Sequence, residues 1–146
     1  MKPIIKTVIS SLAATTAMTL FSYAVSDHEK ENFREPDLLA TFIGRTCGVG
    51  KEASQPMGWA SHYLIGAGFA IAYLLFFKNT NLKSSVKNGI LFGGGAGLVG
   101  ILSWETLFQT HSAPPRTNKK EFYAQLMVAH IIFATTLALF KNNRKL

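Results

Sequence analysis

The stretch from Asn88 to Phe108, NGILFGGGAGLVGILSWETLF, is apolar or small at most positions, and it decides the fold class of the chain. Within it, GAGLVG at 95–100 fits the G-x-G-x-x-G pattern of a dinucleotide-binding turn. That pattern binds a nucleotide where the glycines follow a strand and open a helix. Here apolar residues continue on both sides without a turn signal, and no Gly-Lys-Ser/Thr ending forms a P-loop. The sequence therefore predicts no nucleotide site, and the glycines need another explanation.

Four apolar runs recur along the chain, and the segments between them carry nearly all of the charge. The 146 residues are 48% hydrophobic and only 16% charged, which is unusual for a soluble domain. At a rise of about 1.5 Å per residue, runs of this length cross a hydrocarbon core of about 30 Å. We therefore expect an all-α fold, a single membrane domain (1–146) built as a four-helix bundle. Its transmembrane helices are predicted at about 8–25, 57–77, 89–108 and 122–140.

In a membrane the glycines have a packing explanation. Helices in lipid associate through small residues that let their backbones approach closely. Four glycines of the third run recur at three- and four-residue spacing, and Gly66 occupies a similar position in the second run. The sequence predicts that these residues pack helices together: Gly89, Gly93, Gly97, Gly100 and Gly66.

The distribution of Lys and Arg predicts the orientation of the helices. The short segments 1–7, 78–88 and 141–146 carry Lys and Arg without Asp or Glu, whereas 26–56 and 109–121 carry both signs. Short basic segments favour the cytoplasmic side, so both termini are predicted to be cytoplasmic. The net charge of +7 then suits contact with anionic lipid headgroups, and no nucleic-acid partner is needed to explain it.

The first apolar run has a second interpretation. Met-Lys, an apolar stretch and Ala24-Val25-Ser26 also resemble a secretory signal and its cleavage site. The run is longer than a usual signal core, which favours a retained transmembrane helix. Both interpretations are open from the sequence.

The long outer loop, 26–56, contains a helical pattern of its own. Pro36 is followed by DLLATFIG, with Leu38, Leu39 and Phe42 on one side of a helix. Such a segment lies flat at the outer interface or caps the bundle, and we expect a short interfacial helix. The single Cys47 cannot form an internal disulfide and is interpreted as a small apolar residue.

Three ionisable residues fall within the predicted spans: His62, Glu105 and His130. An ionisable side chain in hydrocarbon costs about 2.5 kcal/mol or more, so its presence needs a reason. Under the predicted topology all three lie in the outer half of the membrane. The aromatic residues Trp59, Tyr63 and Trp104 lie at the same level. These six residues form the candidate ligand-binding site.

Two imidazoles and a carboxylate are suitable ligands for a transition metal, and two facing imidazoles can ligate a haem iron. A protonatable Glu beside His could also relay protons or hold a quinone head group. No motif such as H-E-x-x-H supports a metal site. The other interpretation is structural: His62 and His130 form interhelical hydrogen bonds, and Trp and Tyr form an aromatic belt.

Several segments together resemble a known family: AATTAMTLF (13–21), DLLATFIG (37–44), GWASHYLIGAGFAIAYLL (58–75) and AHIIFATTLALF (129–140). They are similar to the small four-helix bacterial inner-membrane proteins of the YagU-like kind and their uncharacterised relatives. The resemblance implies a bundle in the bacterial inner (plasma) membrane without an established activity. It places His62 and His130 at family-like positions, whereas Glu105 matches none.

The sequence thus favours a small, non-enzymatic, multi-pass membrane protein without a cofactor. We expect it to support a membrane-protein partner or to bind a lipid-soluble ligand in the outer half of the bundle. One alternative is a redox or metal- or haem-binding subunit that uses His62 and His130 as ligands and Glu105 as proton acceptor. A less favoured alternative is a transporter that acts as a homo-oligomer, a dimer packed through the glycines.

Overall fold

The structure, a computed structural model, describes residues 3–142 of the chain. This part of the chain folds into five helices and contains no strand, which confirms the predicted all-α class. In chain order the helices are α1 (Pro3–Glu29), α2 (Glu35–Cys47), α3 (Lys51–Asn79), α4 (Val86–Thr110) and α5 (Lys119–Asn142).

Four of these helices, α1, α3, α4 and α5, are long and apolar enough to cross a membrane. Each contains a candidate span of at least 23 residues, with a mean hydropathy of 1.4 or more. Large aliphatic side chains on their outer faces are exposed, including Leu20, Leu64, Leu91 and Leu102 at 66 to 72%. Exposed aliphatic surface of this extent suits contact with lipid chains.

The helices pack unevenly. α4 packs most extensively against α5, α2 lies along α3, and α1 contacts both α5 and α3. α3 touches α5 only slightly, and its backbone comes close to that of α4 at few points. The ring of Phe92 on α4 packs against Tyr73 and Phe76 of α3, with 5.1 and 5.5 Å between ring centroids. A cleft lined by residues of both helices runs between α3 and α4.

The glycines of α4 form the contact surface with α5. A Cβ placed on Gly93 would lie 2.6 Å from the Cα of Ile131 and 2.8 Å from the carbonyl oxygen of His130. These neighbours are backbone atoms, so they cannot move aside as a flexible side chain would. The structure places Gly89, Gly93, Gly97 and Gly100 against α5, and Gly66 against Thr15 of α1.

The short helix α2 closes one end of the bundle. It has Pro36 in its first turn, and it ends where Gly48 takes a left-handed conformation with φ 66°. The apolar side chains of Leu38, Leu39 and Phe42 are buried. The ring of Phe42 packs against Trp104 of α4, with 6.1 Å between the ring centroids. α2 therefore caps the bundle; a position at the membrane interface stays a prediction.

Helix α1 is integrated into this bundle through a buried row of hydroxyl groups. Thr15, Thr19, Ser22 and Ser26 are each less than 5% exposed. The hydroxyls of Thr19 and Ser26 donate to the carbonyl oxygen one turn earlier in the helix, as Thr19 does to Thr15 at 2.6 Å. Their oxygen lone pairs remain available to side chains of the neighbouring helices.

Candidate functional site

A cavity of about 210 Å³ lies at the cleft between α3 and α4, beneath α2. A cavity of about 150 Å³ is enough to hold a benzene molecule, so this one has room for a ring-sized group. All five helices contribute to its wall. The lining residues are Met18 of α1, Glu35 and Leu39 of α2, His62, Ile65, Gly66 and Phe69 of α3, Gly100, Ser103, Trp104 and Leu107 of α4, and Leu126, His130 and Phe133 of α5.

His62 lies in the cavity wall and forms an interhelical hydrogen bond. Its Nε2 is 2.8 Å from the hydroxyl oxygen of Thr19 on α1. The hydroxyl hydrogen of Thr19 is already donated to the carbonyl oxygen of Thr15, which can only accept. Nε2 of His62 is therefore the donor in this contact. In the neutral ring, Nδ1 then carries a free lone pair.

His130 lies in the same wall but is held by its own helix. Its Nδ1 is 2.9 Å from the carbonyl oxygen of Leu126, one turn earlier on α5. Because a carbonyl oxygen only accepts, Nδ1 carries the hydrogen and Nε2 of the neutral ring carries the lone pair. Gly100 of α4 leaves room for this ring, since a Cβ there would lie 2.8 Å from Cε1 of His130. The hydrogen bonds of residues 3–142 include none to Nε2 of His130.

Glu35, at the start of α2, is a cavity residue that the sequence did not indicate. It is only 2% exposed, and its Oε1 accepts a hydrogen bond from the Ser22 hydroxyl at 2.7 Å. The side-chain amide of Gln125 is 3.4 Å from the same oxygen. The other oxygen, Oε2, is buried and has no hydrogen-bond partner in the described part of the chain.

This environment disfavours the charged form of the Glu35 carboxyl. Burial raises its pKa from 4.5 to about 7, and the hydrogen bonds from Ser22 and Gln125 act in the opposite direction. The protonated form is therefore well populated near neutral pH. It can donate a hydrogen bond when protonated and accept one when ionised.

Glu105, which the sequence grouped with the two histidines, lies outside the cavity. Trp104 faces the cavity, and successive side chains on a helix point about 100° apart. The Glu105 carboxylate instead accepts hydrogen bonds from the hydroxyl of Tyr123, from Gln109 at 2.6 Å and from Lys119 at 3.4 Å. The structure brings His62, His130 and Trp104 together and places Glu105 on a different face of α4.

Trp59 and Tyr63 also lie outside the cavity wall. Their rings stack with 6.3 Å between centroids, and Trp59 contacts Tyr23 of α1 at 6.0 Å. The hydroxyl of Tyr63 is 2.8 Å from that of Thr16. These residues form an aromatic contact between α1 and α3 next to the cavity.

The residues that surround the cavity do not form a conventional metal site. Within residues 3–142 there is no group of three or more His, Cys, Asp or Glu side chains that could hold a metal ion. Glu35 and the two imidazoles line the same cavity but do not form such a group, and two imidazoles provide fewer protein ligands than transition-metal sites commonly use. The predicted metal set of His62, His130 and Glu105 is not assembled.

The cleft continues beyond the cavity along α3 and α4. A second space of about 460 Å³ follows, and Phe69 lines both spaces. Apart from Asn88, every residue around it is apolar, alanine or glycine. From Phe69 to Phe77 this space extends over about 12 Å of helix. The two spaces together form a groove with a polar end beneath α2 and an apolar continuation.

The chain matches no family model, no curated protein sequence and no solved structure. The similarity to YagU-like proteins therefore stays a prediction based on the segments quoted above. Function has to be inferred from the geometry of the cavity and the groove.

Proposed function

We propose that this protein is a multi-pass membrane protein that binds a lipid-soluble ligand in the cavity between α3 and α4. The observation that carries the proposal is a buried carboxyl oxygen of Glu35 that has no hydrogen-bond partner among residues 3–142, on a residue that lines a largely apolar cavity. With both termini in the cytoplasm, as the basic segments predict, this cavity lies in the outer half of the bilayer.

The side of the cleft supports entry from the bilayer. Ile65 and Leu107 line the cavity and are 48% and 39% exposed, and Ser103 between them is also exposed. These positions lie where the candidate membrane helices α3 and α4 separate. A ligand dissolved in the lipid reaches the cavity through this opening without crossing water.

The polar groups in the wall indicate that the cavity is a ligand site rather than an empty packing defect. A buried polar atom without a partner costs about 1 to 3 kcal/mol, so a ligand that satisfies it gains affinity. Oε2 of Glu35 is such an atom among residues 3–142. The lone-pair nitrogens of His62 and His130, in the same wall, add two hydrogen-bond acceptors. Well-formed ligand sites commonly combine an apolar wall with a few converging polar groups.

The proposal is tested by measuring what stays bound to the purified full chain. The protein is released from mild detergent in a native mass spectrometer, and the mass of retained small molecules is recorded. Ser103→Trp places a large ring at the mouth of the cavity. Leu102→Trp is the matched control, because Leu102 is 68% exposed and does not line the cavity.

We expect a discrete small-molecule adduct on the native protein and on Leu102→Trp. The same adduct should be at least about tenfold less abundant on Ser103→Trp. An adduct of equal abundance on both variants, or no discrete adduct on the native protein, would contradict binding in this cavity.

A further inference from the structure

Resting on the ligand site proposed above, we infer that its ligand is a neutral amphiphile with one hydroxylated ring, of the phenol or quinol class. The ring occupies the cavity beneath α2, where its hydroxyl donates a hydrogen bond to His130; in a quinol the second hydroxyl can donate to His62. The hydrocarbon tail lies in the apolar continuation of the groove between α3 and α4.

The fixed hydrogen bonds determine the polarity of the head group. His62 donates through Nε2 to Thr19, and His130 donates through Nδ1 to Leu126. Each neutral imidazole therefore has its remaining nitrogen available only as an acceptor. A ligand that complements such an acceptor must supply a hydrogen-bond donor. Each hydroxyl group supplies one, whereas a ketone, an ether or an ester oxygen supplies none.

The charge of the site favours a neutral donor over a cation. Transfer of an ammonium group into an apolar cavity is costly unless a counter-charge is fixed beside it. Among the residues that line this cavity, Glu35 is the one acidic group, and its burial works against its ionisation. Arg34, next to it in sequence, is paired with Asp27 at 2.5 Å. A phenolic hydroxyl needs no counter-charge to bind an imidazole nitrogen.

The shape of the cavity favours a ring. Its volume is about 210 Å³, whereas a cavity of about 150 Å³ holds benzene. The difference leaves room for a few substituent atoms on the ring. Phe69, Trp104 and Phe133 provide aromatic walls. Phe69 packs edge-on against His130, with 5.2 Å between ring centroids. A flat ring fits between such walls in stacked or edge-to-face contact.

The groove explains why the ligand needs a tail. The space beyond Phe69 is apolar at every lining position except Asn88 and has a volume of about 460 Å³. It runs in the direction of the helices, so a chain attached to the ring continues along α3 and α4. Burial of a CH₂ group is far less favourable when the alternative environment is lipid than when it is water. The tail therefore orients the ligand more than it adds affinity.

The experiment compares two probes that differ by one donor: para-dodecylphenol and its methyl ether. Their affinities for the full chain in lipid nanodiscs are measured by isothermal titration calorimetry. We expect the phenol to bind roughly tenfold more tightly, because its one hydroxyl donates to His130 and the ether leaves that acceptor unsatisfied. In His130→Phe this preference should fall to about threefold or less. In the control His111→Phe, at a residue that does not line the cavity, the preference should be unchanged.

The outcomes separate this inference from the function it rests on. Equal saturable binding of phenol and ether would overturn the donor-ring ligand and leave the cavity as a ligand site. Tighter binding of dodecylamine than of the phenol would overturn the neutral head group. If neither ring probe binds saturably, the phenol class is wrong. Native mass spectrometry of the native protein and of Ser103→Trp then decides whether the cavity binds any ligand. The comparison of probes on native protein is informative even if His130→Phe does not fold.

Discussion

At the scale of single residues, the hydrogen bonds around the two histidines determine their chemistry. His62 donates from Nε2 to a threonine hydroxyl, and His130 donates from Nδ1 to a backbone carbonyl. The two rings are thus in opposite tautomers, and each keeps one lone pair for a ligand. Residue types alone could not predict this, because the tautomer depends on the partner that folding supplies.

We expect the side-chain nitrogen resonances to show this difference. A long-range ¹H–¹⁵N correlation spectrum is recorded with both imidazole rings uncharged. His62 should show a protonated Nε2 and His130 a protonated Nδ1. Thr19→Val removes the acceptor of His62, so its ring should lose the preference while that of His130 is retained. The same tautomer on both rings in the native protein would contradict the hydrogen bonds described here.

The buried Glu35 predicts a dependence of stability on pH. Its pKa is raised from 4.5 to about 7 in the folded protein, so the protonated form is favoured by folding. The associated stability is fully present below about pH 4.5, is lost progressively as pH rises towards 7, and is absent above it. Since a shift of one pKa unit corresponds to about 1.36 kcal/mol, the free energy of unfolding should be about 3 kcal/mol larger below pH 4.5 than above pH 7.

Thermal unfolding in mild detergent checks this dependence. It is measured at pH 5, where most of this stability is present, and at pH 8, where it is absent. Glu35→Gln cannot ionise, so it should be more stable than the native protein at the higher pH and should flatten the change between the two. The exposed Glu31→Gln is the matched control and should retain the native pH dependence. An unchanged dependence in Glu35→Gln would assign the effect to other groups.

At the scale of helices, the apolar pattern predicted the number and order of the long elements but not their ends. The second span was predicted at 57–77, whereas α3 runs from Lys51 to Asn79. Hydropathy marks only the apolar centre, and the helix continues through polar residues such as Lys51 and Glu52. Rotation of the helices about their axes was also not predicted, which is why Glu105 was grouped with the histidines.

The contact between α4 and α5 depends on the absence of a side chain at Gly93. Gly93→Ala places a Cβ against the backbone of Ile131 and should destabilise the protein by about 1 to 3 kcal/mol. Gly94→Ala is the matched control, because a Cβ there meets nothing within 4 Å. That change should be neutral or stabilise the helix by up to about 1 kcal/mol. Thermal unfolding of both variants in the same detergent measures the difference, and equal stability would contradict close backbone packing at Gly93.

Glu35 shows what sequence patterns miss at this scale. The cost of an ionisable group in hydrocarbon singles out residues within apolar spans, whereas Glu35 precedes Pro36 in the loop between two spans. It reaches the cavity because α2 folds back over the bundle and packs along α3. The amphipathic pattern of DLLATFIG predicted a helix there, but its tertiary position was needed to bring the carboxyl to the histidines.

At the scale of the whole molecule, ligand binding in the outer half of the bilayer requires that four helices span the membrane and that α2 lies on the outer side. Four spans place both termini on one side, and the basic short segments predict that this side is the cytoplasm. The loop that contains α2 then faces outward, together with Cys47. The single cysteine of the chain is exposed at the end of that helix.

This topology predicts which cysteines a membrane-impermeant maleimide reaches in intact cells. Cys47 of the native protein should be labelled without permeabilisation. In Cys47→Ser combined with Asn81→Cys, the new thiol lies in the loop between α3 and α4 and should be labelled only after permeabilisation. The reverse pattern would place α2 and the cavity in the inner half of the membrane.

The most direct test of the central claim is whether an amphiphile in the bilayer reaches the cavity wall. The probe is decanol with ¹H at natural abundance, in nanodiscs whose lipids are deuterated. Nuclear Overhauser effects from decanol to labelled aromatic rings of the protein are recorded. Trp104 lines the cavity. Phe122 packs against the Trp104 ring, with 5.1 Å between ring centroids, but does not line the cavity. Both are buried, at 8% and 0% exposed. We predict contacts from decanol to Trp104, His62 and His130 and none to Phe122; absence of contacts to Trp104 and both histidines would contradict a cavity open to the lipid.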